Sequence, residues 1–475
     1  MFRKLQLNGG GEEIVAQEVQ EFLQGRIWLR ELLPFGEEAI GALITDGLIG
    51  TIPGVTTVRK WHGGAASRCN RCLTENSRDF HVFNCRKCGK NCRYCRHCLS
   101  MGRVAECDEL LYWCGPDRQS TANAVLTWEG RLTPLQERAS AELQKSLLAG
   151  RSHLLHAVCG AGKTEILFRP VHCLLMEGKR VCIATPRTDV VLELLPRFEK
   201  AIGGSVIHGL YGGSGGGEGF PGLVIATTHQ LYRYREAFDA VIVDEADAFP
   251  YSFDKTLRLA VKKSLKPGGV LAVVTATPSP AILSEIGKEG GKSVIPVRFH
   301  GHPLPVPRSV PLFGYRKKIS SGKFPEQLRA WTEERLRKEE PFLIFFPSVP
   351  LMEKSLPLFS HLDARIGAVH ASHPDRRSLV LALREGRIPG LLTTTILERG
   401  ITIPRLQIAI VGSENTIFDR SAIIQISGRA GRSPEYPDGD VILFHHGITP
   451  EVDAAVREIR RLNREGGKLV GMSAL

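Results

Sequence analysis

Apolar and polar positions change pattern along this chain. From residue 153 onward, short, largely apolar runs bounded by turn residues recur: His153 to Val158, Val181 to Thr185, Leu223 to Ala226, Phe238 to Asp244, Val273 to Thr277, Phe342 to Pro347 and Val441 to Phe444, with further strands expected over Val369 to His373 and Leu391 to Arg399. Runs of this length without alternation read as strands covered on both faces. Helical stretches fall between them, Thr164 to Met176 and Thr188 to Ile202 being the clearest. Strand and helix in alternation predict parallel sheets joined by crossovers. Before residue 60 the pattern is helical over Glu13 to Leu23 and Glu37 to Leu48, with turns at Gly36, Gly47 and Pro53. This predicts a compact accessory fold in which Trp61 packs. Gly212 to Gly219 reads as a mobile loop, and the chain ends in a basic helix, Glu451 to Lys468, whose Arg457, Arg460, Arg461 and Arg464 share a solvated face.

Composition narrows the class. With 475 residues, 43% hydrophobic and 24% charged, the chain is a globular protein of about three domains. No apolar run approaches the ~20 residues of a membrane span, and Met1 to Glu12 lacks a signal peptide's apolar core, so the expected location is the cytoplasm. A net charge of +12 fits a polyanionic partner, nucleic acid or an anionic membrane surface.

The sharpest chemistry is Ala157-Val-Cys-Gly-Ala-Gly-Lys-Thr164, placed where a strand turns into a helix. Gly160, Ala161 and Gly162 let backbone N–H groups and a helix N-terminus wrap a phosphate. Lys163 would reach the β- and γ-phosphates, Thr164 would take Mg²⁺, and Glu165 follows in the same turn. Gln136, in Leu132-Thr-Pro-Leu-Gln136, could read an adenine edge. Phe238 to Asp247 is an apolar strand that runs into carboxylates: Asp244 can hold Mg²⁺ and Glu245 can activate the attacking water. Thr275-Ala-Thr277 supplies hydroxyls able to sense the metal–phosphate state.

Of twelve cysteines, nine lie between Cys69 and Cys114. Cys69-x-x-Cys72 is followed by Cys85-x-x-Cys88 and by the overlapping knuckles Cys92, Cys95 and Cys98. Such knuckles bind Zn²⁺ tetrahedrally. Cys85 and Cys88 are the simplest partners of Cys69 and Cys72, with Cys92, Cys95 and Cys98 competing. A second metal could draw on His81, His97 or Cys107. The segment is also basic, with Arg68, Arg71, Arg78, Arg86, Lys87, Lys90, Arg93, Arg96 and Arg103 interleaved with Phe80, Phe83 and Tyr94, a surface able to track phosphates while rings stack on bases.

Gln136, Ala157 to Thr164, Thr185-Pro-Arg187, Thr227-Thr-His-Gln230, Asp244 to Asp247 and Thr275 to Thr277 resemble, in order, the first-lobe motifs of superfamily 2 helicases. Thr393 to Pro404 is similar to motif V, and Gln425-Ile-Ser-Gly-Arg429-Ala-Gly-Arg432 to motif VI. The resemblance implies an α/β fold of two RecA-like parallel-sheet lobes that close on ATP. Arg432 is then the expected arginine finger with Arg429 beside it, and Gln425 faces the nucleotide. Thr185, Arg187, Thr227, His229, Ser348, His370 and Thr394 are the loop positions placed to touch a nucleic-acid backbone.

A Cys-rich module ahead of such a core, with Tyr94-Cys-Arg-His-Cys-Leu-Ser-Met-Gly102-Arg and Gly25-Arg-Ile-Trp-Leu-Arg-Glu-Leu-Leu-Pro34, resembles the ComFA family of competence helicases. That resemblance implies a DNA-stimulated ATPase using ATP, Mg²⁺ and Zn²⁺. It would translocate on single-stranded DNA at the inner face of the cell membrane, held there by competence proteins at the membrane channel and meeting DNA-processing proteins. The expected organisation is an N-terminal accessory domain (1–62), a zinc-binding module (63–115), an ATP-binding lobe (116–300) and a second lobe (301–475). Competing readings are a replication-restart or repair DNA helicase, an RNA remodeller suggested by the Asp-Glu-Ala-Asp of motif II, and a DNA-binding adaptor that uses ATP as a switch.

Overall fold

The computed structural model describes residues 12–59, 65–118, 123–214, 220–395 and 403–473. Trp61, part of the Gly-rich loop (215–219) and most of the motif V stretch (396–402) lie outside them.

Two parallel sheets dominate. The first lobe has seven strands in the order Ile207–Leu210, Leu223–Thr227, Val181–Thr185, Phe238–Asp244, Leu265–Thr275, His153–Ala157 and Gly291–Ile295, all parallel. The second has six: Arg308–Pro311, Val441–His445, Gln407–Val411, Phe342–Phe345, Gly390–Thr393 and Gly367–Val369, again parallel. His153–Ala157, Val181–Thr185 and Leu223–Thr227 are buried at every residue, which is why they read as unbroken apolar runs. These are two RecA-like lobes. Helices Lys163–Met176 and Thr188–Ala201 are among the crossovers.

Elements differ from expectation where turn chemistry intervenes. The helix expected to reach Leu48 stops at Thr45, because Gly47, with φ +73°, terminates it. The strand expected over Val369 to His373 ends at Val369; a turn closed by His373 N–H on the His370 carbonyl (3.1 Å) leads into Pro374. The edge strands Gly291–Ile295 and Arg308–Pro311 carried no clear signal in the sequence.

At the front, Glu109–Trp113 returns from beyond the cysteines to sit between Ile27–Leu29 and Ile49–Pro53 in an antiparallel sheet. A hairpin, Val55–Arg59 with Ala65–Cys69, and a small sheet, Phe80–Asn84 with Asn91–Cys95 and Val104–Ala105, carry the cysteines. This front part is fastened to the first lobe. Gly25, at φ +72°, lies so close that a Cβ would meet Ala237 Cβ at 2.6 Å, and its carbonyl accepts from Arg235 N–H (3.0 Å). The buried Lys263 ammonium donates to the carbonyls of Tyr232 (2.8 Å) and Arg71.

Candidate active site and metal centres

The strand His153–Ala157 delivers the chain into the phosphate loop, and the helix Lys163–Met176 begins on Gly162 in the left-handed conformation (φ +72°). A side chain at Gly162 would strike Gln136 Nε2, 2.4 Å from the Cβ position. Gln136 works differently from expectation. Its Oε1 accepts from Thr133 N–H (2.8 Å) in a capping box, and its Nε2 donates to the Ala161 carbonyl (2.8 Å). Both ends of the amide are thus engaged with protein, and the side chain ties a helix N-terminus to the loop. Thr164 Oγ1 accepts from Arg197 Nη1 (3.2 Å), and Arg197 also pairs with Glu165. Two tight glycines, a helix N-terminus, Lys163 and a facing carboxylate form a donor set that fits a nucleoside triphosphate with its metal.

That carboxylate is Asp244, at the end of the buried strand Phe238–Asp244. Burial, reinforced by Glu245 and opposed by Lys163, pushes its pKa up to about 6. Its Oδ1 accepts from the N–H of Glu245, whose backbone sits at φ +54°. Asp247 turns toward the second lobe: it accepts from Thr277 Oγ1 (2.5 Å) and, across the cleft, from Gln425 Nε2 (2.7 Å). Thr277 also meets Ser421 Oγ at 2.6 Å. Gln425 Oε1 in turn accepts from Cys159 Sγ of the phosphate loop (2.8 Å). The helix Arg420–Ser427 is therefore docked on the first lobe through motif II, Thr277 and the loop itself. At Gly428 a Cβ would lie 2.4 Å from that of Cys159, so a glycine is required there. Arg429, buried, and Arg432 sit on the turn that follows.

The positions expected to touch nucleic acid lie at or just beyond the carboxyl ends of strands in both lobes, where open α/β sheets hold ligands. Thr185 and Thr227, the last residues of their strands, are buried, so their side chains lie beneath the surface of those sheet ends. Arg187 pairs bidentately with Asp189 (3.2 and 3.1 Å), which also receives Arg376 of the second lobe (3.4 Å). His229 is exposed, as is Ser348, while His370 and Thr394 are half-buried.

The cysteines form two clusters, each with its ligand atoms within 4.8 Å of one another: Cys69, Cys72, Cys95 and Cys98, and Cys85, Cys88, Cys92 and Cys107. Cys69 and Cys98 sulfurs are 3.7 Å apart, Cys72 and Cys95 3.5 Å, Cys85 and Cys107 3.6 Å, and none forms a disulfide. Four thiolates at ~2.3 Å from one zinc ion lie ~3.8 Å apart, so both sets fit that metal. The simplest pairing, Cys69 and Cys72 with Cys85 and Cys88, is not the one formed. Cys92 opposes Phe83, near the Cys85 turn, whereas Cys95 lies three residues, ~10 Å, further along the strand and reaches the first knuckle. His81 and His97 join neither set, and Cys107 closes the second. Arg71, counted above as surface charge, is buried: its Nε donates to Cys98 Sγ (3.4 Å) and its Nη2 to the Cys98 carbonyl (2.9 Å). Hydrogen bonds led by the one from Cys69, with Arg71 adding to the same end, drive the Cys98 thiol far below its ordinary range. Phe83 and Tyr94 pack edge to face at 5.5 Å, with Arg103 over Phe83.

Residues 12–112 match the Competence protein ComFA N-terminal domain, residues 133–286 the DEAD/DEAH box helicase and residues 326–434 the Helicase conserved C-terminal domain. The chain is 41% identical over 455 residues to Competence protein ComFA of Bacillus subtilis (strain 168), covering 96% of this chain and 97% of that one. The chain belongs to the ComFA family of competence proteins. Another ComFA, from Streptococcus pneumoniae (strain ATCC BAA-255 / R6), is 37% identical over 84% of this chain and 91% of its own. A structure of S. cerevisiae Dbp5 bound to RNA and ADP BeF3 superposes with a TM-score of 0.49 at 16% identity, covering 70% of this chain and 88% of that one.

As a ComFA-family chain with both helicase domains, the protein has the lobes of an ATP-hydrolysing helicase. Its sequence motifs located the phosphate loop, motif II and motif VI. They did not reveal Arg197 on Thr164 and Glu165, Arg71 behind Cys98, or Lys263 beneath the first cluster, because each is a lone cation whose partner is supplied by a distant segment.

Proposed function

We propose that this protein is an ATP-driven translocase that moves along single-stranded DNA and draws it into the cytoplasm during natural competence. The observation that carries the reading is the cross-cleft chain Cys159–Gln425–Asp247–Thr277, which links the nucleotide loop, motif II and motif VI. Nucleotide state and lobe position are then one variable, the requirement of a motor. ATP with Mg²⁺, when bound, supplies the phosphoanhydride whose hydrolysis drives the cycle. Gly160, Ala161, Gly162, Lys163, Thr164 and Glu165 hold it from the first lobe, with Asp244 on the metal side and Gln136 bracing the loop. Glu245 takes the proton of the attacking water, and Arg432, with Arg429 beside it, reaches the developing charge from the second lobe.

Arg187 and His229 in the first lobe, and Ser348, His370 and Thr394 in the second, hold the strand at two points, with Thr185 and Thr227 shaping the loops beneath. Closure changes the distance between those points, so repeated turnover ratchets the protein along the strand. Each four-cysteine set would hold one Zn²⁺, and the first of them ties the front module to the first lobe. Among the described residues no helix is long and apolar enough to cross a membrane. In this reading, attachment at the inner face of the membrane runs through competence proteins of the channel, and DNA-processing proteins receive the strand.

The test is steady-state ATP hydrolysis with no nucleic acid, single-stranded DNA, duplex DNA or single-stranded RNA added in turn. Strong stimulation by single-stranded DNA alone is the expected result. Equal stimulation by RNA favours an RNA remodeller, and a flat low rate an ATP-switched adaptor.

A further inference from the structure

Between the last strand of the first lobe, Gly291–Ile295, and the first of the second, Arg308–Pro311, the connecting segment carries Arg298. It is one of the largest side chains fully buried in the protein, 1% exposed. Its guanidinium forms no salt bridge among the described residues, although the charge of Asp438 favours its protonated form. Instead Nη1 donates to the carbonyls of Ala430 (2.9 Å) and Gly431, Nη2 to those of Pro303 (2.5 Å) and Pro437 (2.7 Å), and Nε to that of His302 (3.4 Å). Burial pushes its pKa down to about 10, which leaves it charged at neutral pH. Buried charge is costly, and a planar fork of five N–H donors is the side chain able to satisfy so many separate acceptors.

The same residue touches the phosphate loop. A Cβ added to Gly160 would meet Arg298 Cδ at 3.4 Å, so the arginine stem lies along the loop's first glycine. The adjoining backbone is tied there as well: Phe299 N–H donates to the Gly160 carbonyl (2.9 Å), and Val158 N–H to that of Ile295 (3.1 Å). Ala430 and Gly431 stand between Arg429 and Arg432. A side chain at Gly431 (φ +63°) would collide with the Pro437 carbonyl at 2.0 Å and meet Arg298 Nη1 at 3.0 Å, so this turn is moulded around the guanidinium.

We infer that Arg298 is a positioning residue that braces the turn bearing Arg429 and Arg432 against the phosphate loop through the inter-lobe connection. It touches no substrate; its effect on hydrolysis passes through Arg432. The inference rests on the reading of Arg432 as the arginine finger.

The experiment uses the full-length chain and the variants R298M, which keeps the stem's bulk and removes every donor, and R298K, each alone and combined with R432A. It measures kcat and KM for ATP with single-stranded DNA present, the affinity for a non-hydrolysable ATP analogue, and thermal melting. Expected is a fall in kcat of about tenfold or more for R298M with analogue affinity within about threefold of the parent, and a smaller fall for R298K. In the R432A background R298M should lower kcat by less than about twofold, since both changes remove one interaction. The same fold loss in both backgrounds, or R298M and R298K within twofold of the parent while R432A is slow, overturns the brace. If R298M does not fold, R298K carries the same comparison. A kcat untouched by R432A overturns the arginine-finger reading instead.

Discussion

Lys163 combines position and charge in a way no neighbour duplicates: it opens the helix on a left-handed glycine and faces Asp244. Lys163→Ala should lower kcat by about a hundredfold or more while DNA affinity stays within about twofold, checked by hydrolysis and by fluorescence anisotropy. Two histidines of the adjoining strand predict the response to acid. His153 is held between Ser146 and Ser293 (both 2.9 Å), and His156 donates through Nε2 to the Ala276 carbonyl (3.0 Å). Burial lowers both pKa values from 6.5 to about 4. Because the folded values are depressed, the unfolded chain binds the extra protons. Stability is therefore constant above about pH 6.5 and is lost as pH falls from there toward 4, by about 2 kcal/mol per histidine at pH 5. Melting followed from pH 7 to 5 should show this slope, and His153→Gln with His156→Gln should flatten it; an unchanged slope would point to other groups.

At the scale of elements, the small cysteine sheet decides which metal site each thiol serves. Its register places Cys92 and Cys95 at opposite ends of one strand, so neighbouring knuckles belong to different sites. Purified protein should contain two zinc ions per chain. Cys107→Ser should remove about one of them and leave the front module folded, whereas replacing Cys69 and Cys72 together should melt that module and weaken DNA binding. Elemental analysis and circular dichroism distinguish these outcomes, and retention of both metals in Cys107→Ser would exclude Cys107 as a required ligand. The first cluster's closer coupling to the motor explains the asymmetry. Arg71 sits behind it, and Lys263 of the helix Lys255–Ser264 donates to the Arg71 carbonyl, joining module and lobe in one core.

For the whole molecule, the cleft is the functional unit, and it is crossed by polar contacts that single substitutions remove. Gln425→Ala removes two cross-lobe hydrogen bonds, to Asp247 and from Cys159. At about 1 kcal/mol each, the closed arrangement should lose about 2 kcal/mol, a roughly thirtyfold shift toward the open one. The expected reading is a loss of kcat together with a weaker affinity for a non-hydrolysable ATP analogue, since closure and nucleotide binding are linked, and a lower closed fraction in a fluorescence-transfer measurement between labelled lobes. Undiminished closure in this variant would show that the cleft is held shut by other contacts.

What the sequence determined by itself is what local chemistry dictates. Glycines at 160 and 162, a lysine and threonine at a strand-to-helix junction, and an apolar strand ending in Asp244 and Glu245 are readable because each depends on neighbours in the chain. The same holds for the buried strands, whose lack of alternation follows from helices on both faces. Tertiary structure alone decided which thiols share a metal, because strand register sets that, and where Gln136 and Gln425 point, because their partners at Ala161, Asp247 and Cys159 come from distant segments. It also decided that Arg71 and Arg298 are buried and bonded to carbonyls rather than solvated charges. A cation's spacing along a chain is the same whether it faces water or a carbonyl, and only the fold supplies the carbonyl.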